Sequence, residues 1–243
     1  MYDSFAAVYD TLMSDADYKR RAEYIRGVFL KYGAVPTLLL DLACGTGAFS
    51  REFSSADTSV IGVDISAEML SRAAEKGGDI LYICQDMTEL DLYGTVDGAI
   101  CCLDGLNHLR NYDDFCKVLQ RTALFLENEK LFIFDINTVY KHKRVLADNT
   151  FIKEKGGVYC IWQNEYDKKS RSVTVKLDFF VGEDGTYLKS SETFTETAFK
   201  RSAVRRALKK AGFDILEITD GDTYKKPIRK TQRLMYVCKK RGF

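Results

Sequence analysis

The sequence predicts an α/β protein built on an open, doubly wound sheet, with a smaller antiparallel sheet inserted late in the chain. Three observations predict it. Short apolar runs, each with an acid at or near its end, alternate with helix-period segments between about residue 37 and residue 135. A glycine turn, Cys44-Gly-Thr-Gly47, follows the first of those runs directly. From residue 138 to residue 195 the helical period fades, and runs rich in β-branched and aromatic residues replace it.

Composition sets the bounds. A chain of 243 residues holds one sizeable domain with an insertion, and 46% hydrophobic content supplies its core. A net charge of +1 gives no strong field for nucleic acid or an anionic membrane. The seven cysteines (Cys44, Cys84, Cys101, Cys102, Cys116, Cys160 and Cys238) are scattered. None forms a Cys-x-x-Cys pair or a Cys/His cluster, so no metal site is expected, and they read as reduced thiols of a cytoplasmic protein. The N-terminus lacks a signal-peptide pattern, and no run approaches the roughly 18 apolar residues of a membrane span.

The elements follow in order. Tyr2, Phe5, Tyr9 and Leu12, then Tyr18, Tyr24, Ile25, Phe29 and Leu30, recur at helical spacing and predict two helices parted near residues 15–17. After Pro36, Thr37 to Leu42 is an apolar strand broken only by Asp41. A helix from Gly47 to Phe53 then directs its free N–H groups at the turn. A carboxylate at that strand tip suits a cationic ligand, not a pyrophosphate. Thr58 to Asp64 is the second strand, and Ser66 caps the next helix with Glu68 in its first turn. Asp64 lies beside the glycine turn; an acid there either accepts the two ribose hydroxyls of an adenosine or serves as a helix-capping group. Ile65 and Met69 flank the adenine or fill the core.

Ile80 to Cys84 is the third strand, followed by Gln85-Asp86-Met87. Val96 to Leu103 is the fourth. Asn111, with Asp113 and Asp114, opens a helix carrying Phe115, Val118, Leu119, Thr122 and Leu126. Lys130 to Asp135 is the fifth strand. In the insertion, Val158 to Trp162, Ser172 to Val181 and Thr186 to Phe194 read as antiparallel strands, with Glu183-Asp-Gly185 as a hairpin signal. A helix from Ala198 to Ala211, capped by Gly212, precedes two last strands, Phe213 to Thr219 and Arg233 to Cys238.

Asp41-Leu-Ala-Cys-Gly-Thr-Gly47 resembles the first motif of the class I S-adenosylmethionine-dependent methyltransferases, acid-x-x-x-Gly-x-Gly. The resemblance covers roughly Tyr2 to Asp135 and Ala198 to the end. It implies a Rossmann-like, seven-stranded, mostly parallel sheet whose last strand enters antiparallel. It places the core in residues 1–137 and 196–243, and residues 138–195 as an inserted sheet over the site. Phe5-x-x-x-Tyr9-Asp10 is similar to a lid segment of many small-molecule methyltransferases, so the first helix is either a lid or an amphipathic cover. The implied cofactor is S-adenosylmethionine, held by Asp41, Ala43, Gly45, Gly47, Asp64, Ile65, Met69, Asp86, Met87 and Leu103. In that family the acid at the Asp86 position accepts from the adenine amino group, and the backbone N–H at the Met87 position meets the ring; a plain turn residue is the alternative for Asp86.

The reaction implied is in-line transfer of a methyl group from a sulfonium, which asks for alignment and water exclusion and no metal. A protonated acceptor would need a base, for which Asp104, His108 and Tyr9 are the candidates. Each also has a plain structural reading as a cap, a helix-end residue or a packed ring. The fourth strand lacks an Asn/Asp-Pro-Pro-Tyr signature, and Cys102 lacks the proline that precedes a cytosine-methylating nucleophile. A small-molecule acceptor is therefore expected. The basic tail, Lys225, Lys226, Arg229, Lys230 and Arg233 with Lys239, Lys240 and Arg241 further on, either touches RNA or forms a solvated rim; the rim is the preferred reading, with nucleic acid unexpected as a partner. Tyr159, Trp162, Phe179, Phe180 and Tyr187 form a substrate pocket, a homodimer face or simply the insertion's own core. The alternatives are an RNA or protein methyltransferase, a non-catalytic cofactor-binding domain, and an NAD(P)-dependent oxidoreductase, whose fingerprint would need glycine where Ser50 stands.

Overall fold

The computed structural model describes residues 3–183 and 185–242, with the side chains of residues 3, 4, 5, 7 and 183 left aside. Tyr2, the Phe5 side chain and Asp184 of the hairpin signal thus lie outside the described residues. Among the described residues the strands form two sheets. The larger holds seven strands: β1 (Leu38–Leu42), β2 (Ser59–Asp64), β3 (Ile80–Cys84), β4 (Val96–Cys101), β5 (Leu126–Asn137), β10 (Phe213–Asp220) and β11 (Arg233–Lys240). Their order is β10-β11-β5-β4-β1-β2-β3. β1 to β5 run parallel, and β11 enters antiparallel between β5 and β10. The order reverses at β1, between β4 and β2, which is where such sheets open a crevice at their carboxyl ends.

Alternation along each strand builds two cores. Leu40, Leu42, Ala99, Cys101, Phe132 and Phe134 face α5 (Tyr112–Phe125) and α7 (Arg201–Lys210). Leu39, Ile100, Leu131 and Ile133 face α2 (Tyr18–Lys31) and α3 (Ala48–Phe53). Asp41 shares the second face with Leu39, and α3 supplies its partner: Ser50 Oγ donates to Asp41 Oδ2 at 2.7 Å. A strand buried on both faces tolerates this acid because it is hydrogen-bonded. α4 (Ala67–Glu75) begins at Ser66, whose hydroxyl accepts from Met69 N at 3.2 Å, the cap that the sequence predicts.

The second sheet holds β6 (Thr150–Lys155), β7 (Val158–Asp167), β8 (Ser172–Glu183) and β9 (Thr186–Thr197) in meander order, all antiparallel. β6 was not expected. Its partner register pairs Ile152 with Ile161, and its exposed charges hide the alternation. A short helical stretch, Val139–Lys141 continuing to Leu146, was not expected either, where the sequence suggested only fading helical signal. The first helix, α1 (Asp3–Leu12), packs on this sheet: Val8 and Leu12 join Val158, Cys160, Val173, Val175, Leu177 and Phe179 in one apolar cluster. Burying each of those two side chains contributes about 1.5–3 kcal/mol.

β4 is shorter than expected. It stops at Cys101, and Leu103 and Asp104 turn back with positive φ, +53° and +59°. The Asp135 carboxylate holds that turn, accepting from Leu103 N at 2.9 Å and Asp104 N at 2.8 Å. β5 extends beyond the expected bounds at both ends because its edge partners, β4 and β11, continue alongside it.

Candidate active site

The tips of β1, β2, β3 and β4, with α1, α2 and β9, enclose a cavity of about 820 Å³. Of the residues expected at a site, Tyr9, Asp41, Ala43, Gly45, Asp64, Ile65, Met69, Asp86, Met87, Leu103 and His108 line it. Gly47 and Asp104 do not.

The glycine turn explains its own composition. Gly45 has φ +55°, and a Cβ there would meet nothing within 4 Å, so the bare backbone opens onto the cavity. Gly47 has φ +72° and starts α3, but its missing Cβ makes room for the Tyr82 hydroxyl and for Ala73, 3.1 Å away. The same ring lies across Gly62, whose Cβ would approach Tyr82 Cδ1 to 2.7 Å. Gly47 is thus needed for packing behind the turn. Tyr82 is a contributor that sequence reasoning missed, and no local signal marked it.

Two carboxylates face the slot. Asp64 Oδ2 accepts from Gly45 N at 2.8 Å and Oδ1 from Ser66 N at 2.9 Å, so it ties the β2 tip to the glycine turn and to the cap of α4. Burial raises its pKa, against the pull of those N–H groups and of His108. Asp41 is raised to about 7, first by burial and then by repulsion from Asp64, with the Ser50 hydroxyl opposing. An acid held this way gains most from a positive ligand. Asp86 caps the short turn Met87–Glu89, accepting from Thr88 N at 2.8 Å, while also lining the cavity.

Over the β4 tip stand Tyr9, Tyr18, His108 and Phe194, with Thr193 and Thr195 alongside. The Phe194 and His108 rings lie 5.2 Å apart. Burial, reinforced by Tyr18 and by the nearby carboxylates, pushes the Tyr9 phenol well above its usual range. It therefore stays protonated and acts as a donor, a poor general base. Asp104 faces away from the cavity into a buried network. Arg233 pairs with it at 3.1 Å and also with Asp135, and Asn137 Nδ2 donates to its other oxygen. Asn137 also donates to Glu196 at 3.1 Å. Burial opposes the charge on Glu196, but His142, whose Nε2 lies 3.3 Å from its carboxylate, with His108 and Lys141 near, holds its carboxyl well below the usual range. Asp104 therefore fixes the turn beneath the site instead of reaching into it.

α1 is latched to the same turn. Thr46 Oγ1 donates to Asp10 Oδ1 at 2.6 Å, Lys76 pairs with Asp10, and Lys76 Nζ donates to Thr46 O at 3.0 Å. Sequence reasoning named Asp10 in a lid motif but could not supply its partners. It also missed Thr193 to Thr195, since nothing in a Thr-Phe-Thr run marks it as a cavity wall. Among the described residues no group of three or more His, Cys, Asp or Glu side chains is placed to hold a metal ion, and no helix is long and apolar enough to cross a membrane.

Comparison with known proteins identifies the class. A family model described as a methyltransferase domain matches residues 39–128. A putative methyltransferase, YqeM, of Bacillus subtilis is 32% identical over 99% of this chain and 97% of its own. A crystal structure of an S-adenosylmethionine-dependent methyltransferase from Clostridium acetobutylicum superposes with a TM-score of 0.90, at 32% identity and 99% coverage of both chains. CalS10, an amino pentose methyltransferase from Micromonospora echinaspora solved with bound S-adenosylmethionine, shares the fold at 17% identity, a TM-score of 0.74 and 91% coverage of both chains. The chain belongs to the class I S-adenosylmethionine-dependent methyltransferases. It is an enzyme, and its cofactor is S-adenosylmethionine.

Proposed function

We propose that the chain methylates a small-molecule acceptor enclosed between the β4 tip, α1 and β9. One observation carries this reading: the cavity of about 820 Å³ is roofed by the lid helix and the inserted sheet, within the size range of small-ligand sites. The amino pentose substrate in the name of CalS10 is of the same size class. We assign the inserted sheet of residues 138–195 to the acceptor side, where α1 and the β4 tip meet it, and the glycine turn with the β1–β3 tips of the core, residues 1–137 and 196–243, to the cofactor side.

The cofactor residues fit their group. Gly45 offers a Cβ-free cradle, Asp64 the acceptors for two ribose hydroxyls, and Asp86 with Met87 the adenine edge, with Ile65 and Met69 on its faces. Asp41 supplies negative charge for the amino acid end, and Ala43 and Leu103 close the walls. Gly47 acts from behind through Tyr82. When bound, the cofactor supplies an electrophilic methyl on a cationic sulfur. The chain's own residues align the acceptor and exclude water. His108 is positioned to take the acceptor's proton; Tyr9 donates a hydrogen bond that orients it, and Asp104 holds the strand tip in place.

The test is calorimetric titration of S-adenosylmethionine, followed by detection of S-adenosylhomocysteine with a panel of small amines, amino sugars and hydroxylated acids. Turnover of at least one panel member, lost in His108→Ala with cofactor affinity kept, supports the reading. Turnover only with RNA or protein overturns it.

A further inference from the structure

The edge of the large sheet beside the site carries positive charge that nothing in the fold uses. Two segments form it: the β10–β11 loop, residues 221–232, and the helical stretch after β5, residues 139–146. Thr138 joins them, its N donating to Gln232 O at 2.9 Å and its Oγ1 to Thr231 O at 2.8 Å. Residues 223–232 contain Lys225, Lys226, Arg229 and Lys230 and no acid; residues 138–147 contain Lys141, Lys143 and Arg144 and again no acid. Lys225, Lys226, Arg229, Lys230, Lys143 and Arg144 are all exposed, and among the described residues none pairs with a carboxylate. Six such cations on one edge stand out in a chain whose net charge is only +1.

The acids close by are already engaged. Asp220 Oδ1 accepts from Thr223 N at 2.9 Å, and its Oδ2 accepts from Thr231 Oγ1 at 2.9 Å. Burial raises this carboxyl, and the N–H groups of Thr223 and Asp222 overcome that and lower it. Asp222 is taken by Arg21 at 2.9 Å, and Asp104 and Asp135 by Arg233. The loop is also rigid: the Tyr224 ring stacks on Tyr24 of α2 at 3.7 Å, and Ile228 N bonds Thr231 Oγ1 at 2.9 Å. A braced loop whose one acid is taken by Arg21 and whose exposed cations pair with no carboxylate among the described residues suits an external anion.

We propose that this edge binds the sugar–phosphate backbone of a single-stranded nucleic acid. Six separated cations exceed what one phosphate can engage and match a row of them. A membrane partner would need an apolar face beside the charges, and Ile228 is the one exposed apolar side chain of the loop. No long helix presents these cations to a duplex groove. The surface stands apart from the cavity lining, so it goes beyond the methyl-transfer reading and does not rest on it.

The experiment uses the full chain and fluorescence anisotropy with a labelled single-stranded RNA, a DNA of the same sequence, and anionic phospholipid vesicles. Binding to one or both oligonucleotides, weakening as salt rises, is expected; the RNA and DNA arms show which sugar is preferred. Reversing Lys225, Lys226, Arg229 and Lys230 to Glu reduces the logarithmic salt slope by about 3, at ~0.7 per lost single-strand contact. The paired change Lys209→Glu and Lys210→Glu, on exposed cations of α7, leaves it unchanged. Cofactor titration confirms that both variants are folded. Absence of oligonucleotide binding, equal binding by the loop variant, or binding to vesicles alone overturns the proposal.

Discussion

The two sides of the cavity are built on different principles. The cofactor side is backbone: a left-handed glycine turn, strand tips and helix starts, fixed by N–H groups that Asp64 and Asp86 hold in place. The side under α1 and β9 is side chain: Tyr9, Tyr18, His108 and Phe194 meet from four separate segments. A backbone cradle leaves a spacing in the sequence, acid-x-x-x-Gly-x-Gly. A wall of side chains from distant segments leaves none. On the proposed reading the first half holds the cofactor and the second selects the acceptor, and only the first is written locally.

Substitutions can sharpen or break this contrast. Gly45→Val has the largest expected effect: it places a branched side chain at φ +55° in the open cradle and abolishes cofactor binding in calorimetry. Asp64→Ala follows, losing two charge-assisted hydrogen bonds worth about 3 kcal/mol together, roughly a hundredfold in affinity. It leaves a cooperative thermal transition, and wild-type affinity would remove the ribose assignment. Gly47→Ala costs about 2 kcal/mol of stability through the crowded Tyr82 hydroxyl and its positive φ, and Tyr82→Phe in the same chain recovers part of it in urea melts. Phe194→Ala changes cofactor affinity by no more than about 1 kcal/mol, since its ring belongs to the acceptor side. A loss as large as that of Asp64→Ala would erase the division between the two sides.

Acidity gives an independent reading of the cradle. The folded pKa of Asp41, about 7, lies above its unfolded value of roughly 3.9. The folded state therefore binds more protons between those values, so this group lowers stability as pH rises through the window. The penalty is absent below it and complete above it. Asp41→Asn flattens that part of the stability profile. A cationic ligand favours the carboxylate, so cofactor binding below about pH 7 releases protons. Titrations in buffers of different ionisation enthalpy measure that release.

The core was legible because its signals are local. Asp41, Gly45 and Asp64 sit at strand ends that their own apolar runs define, and the sheet order follows from βα alternation. β6 escaped because an edge strand carries charges where alternation should show. Asp104 lies off the cavity because the apolar run predicts a strand to Leu103, whereas β4 ends at Cys101 and the left-handed turn held by Asp135 directs the Asp104 side chain towards Arg233. Tyr82 and Thr193 to Thr195 could not be read at all, since their importance comes from contacts across the fold. The basic edge was visible as composition, but the partners that engage Asp220 and Asp222 and leave it uncompensated were not.

The seating of α1 joins the two sheets by two unlike grips. Val8 and Leu12 are shared with the second sheet, while Asp10 grips Thr46 and Lys76 on the cofactor side. The helix is a rivet through both halves. The exposed carboxylate of Asp10 is a weaker hold than two buried aliphatic chains. Of the two grips on the helix, the one at Asp10 is thus the one that added salt screens.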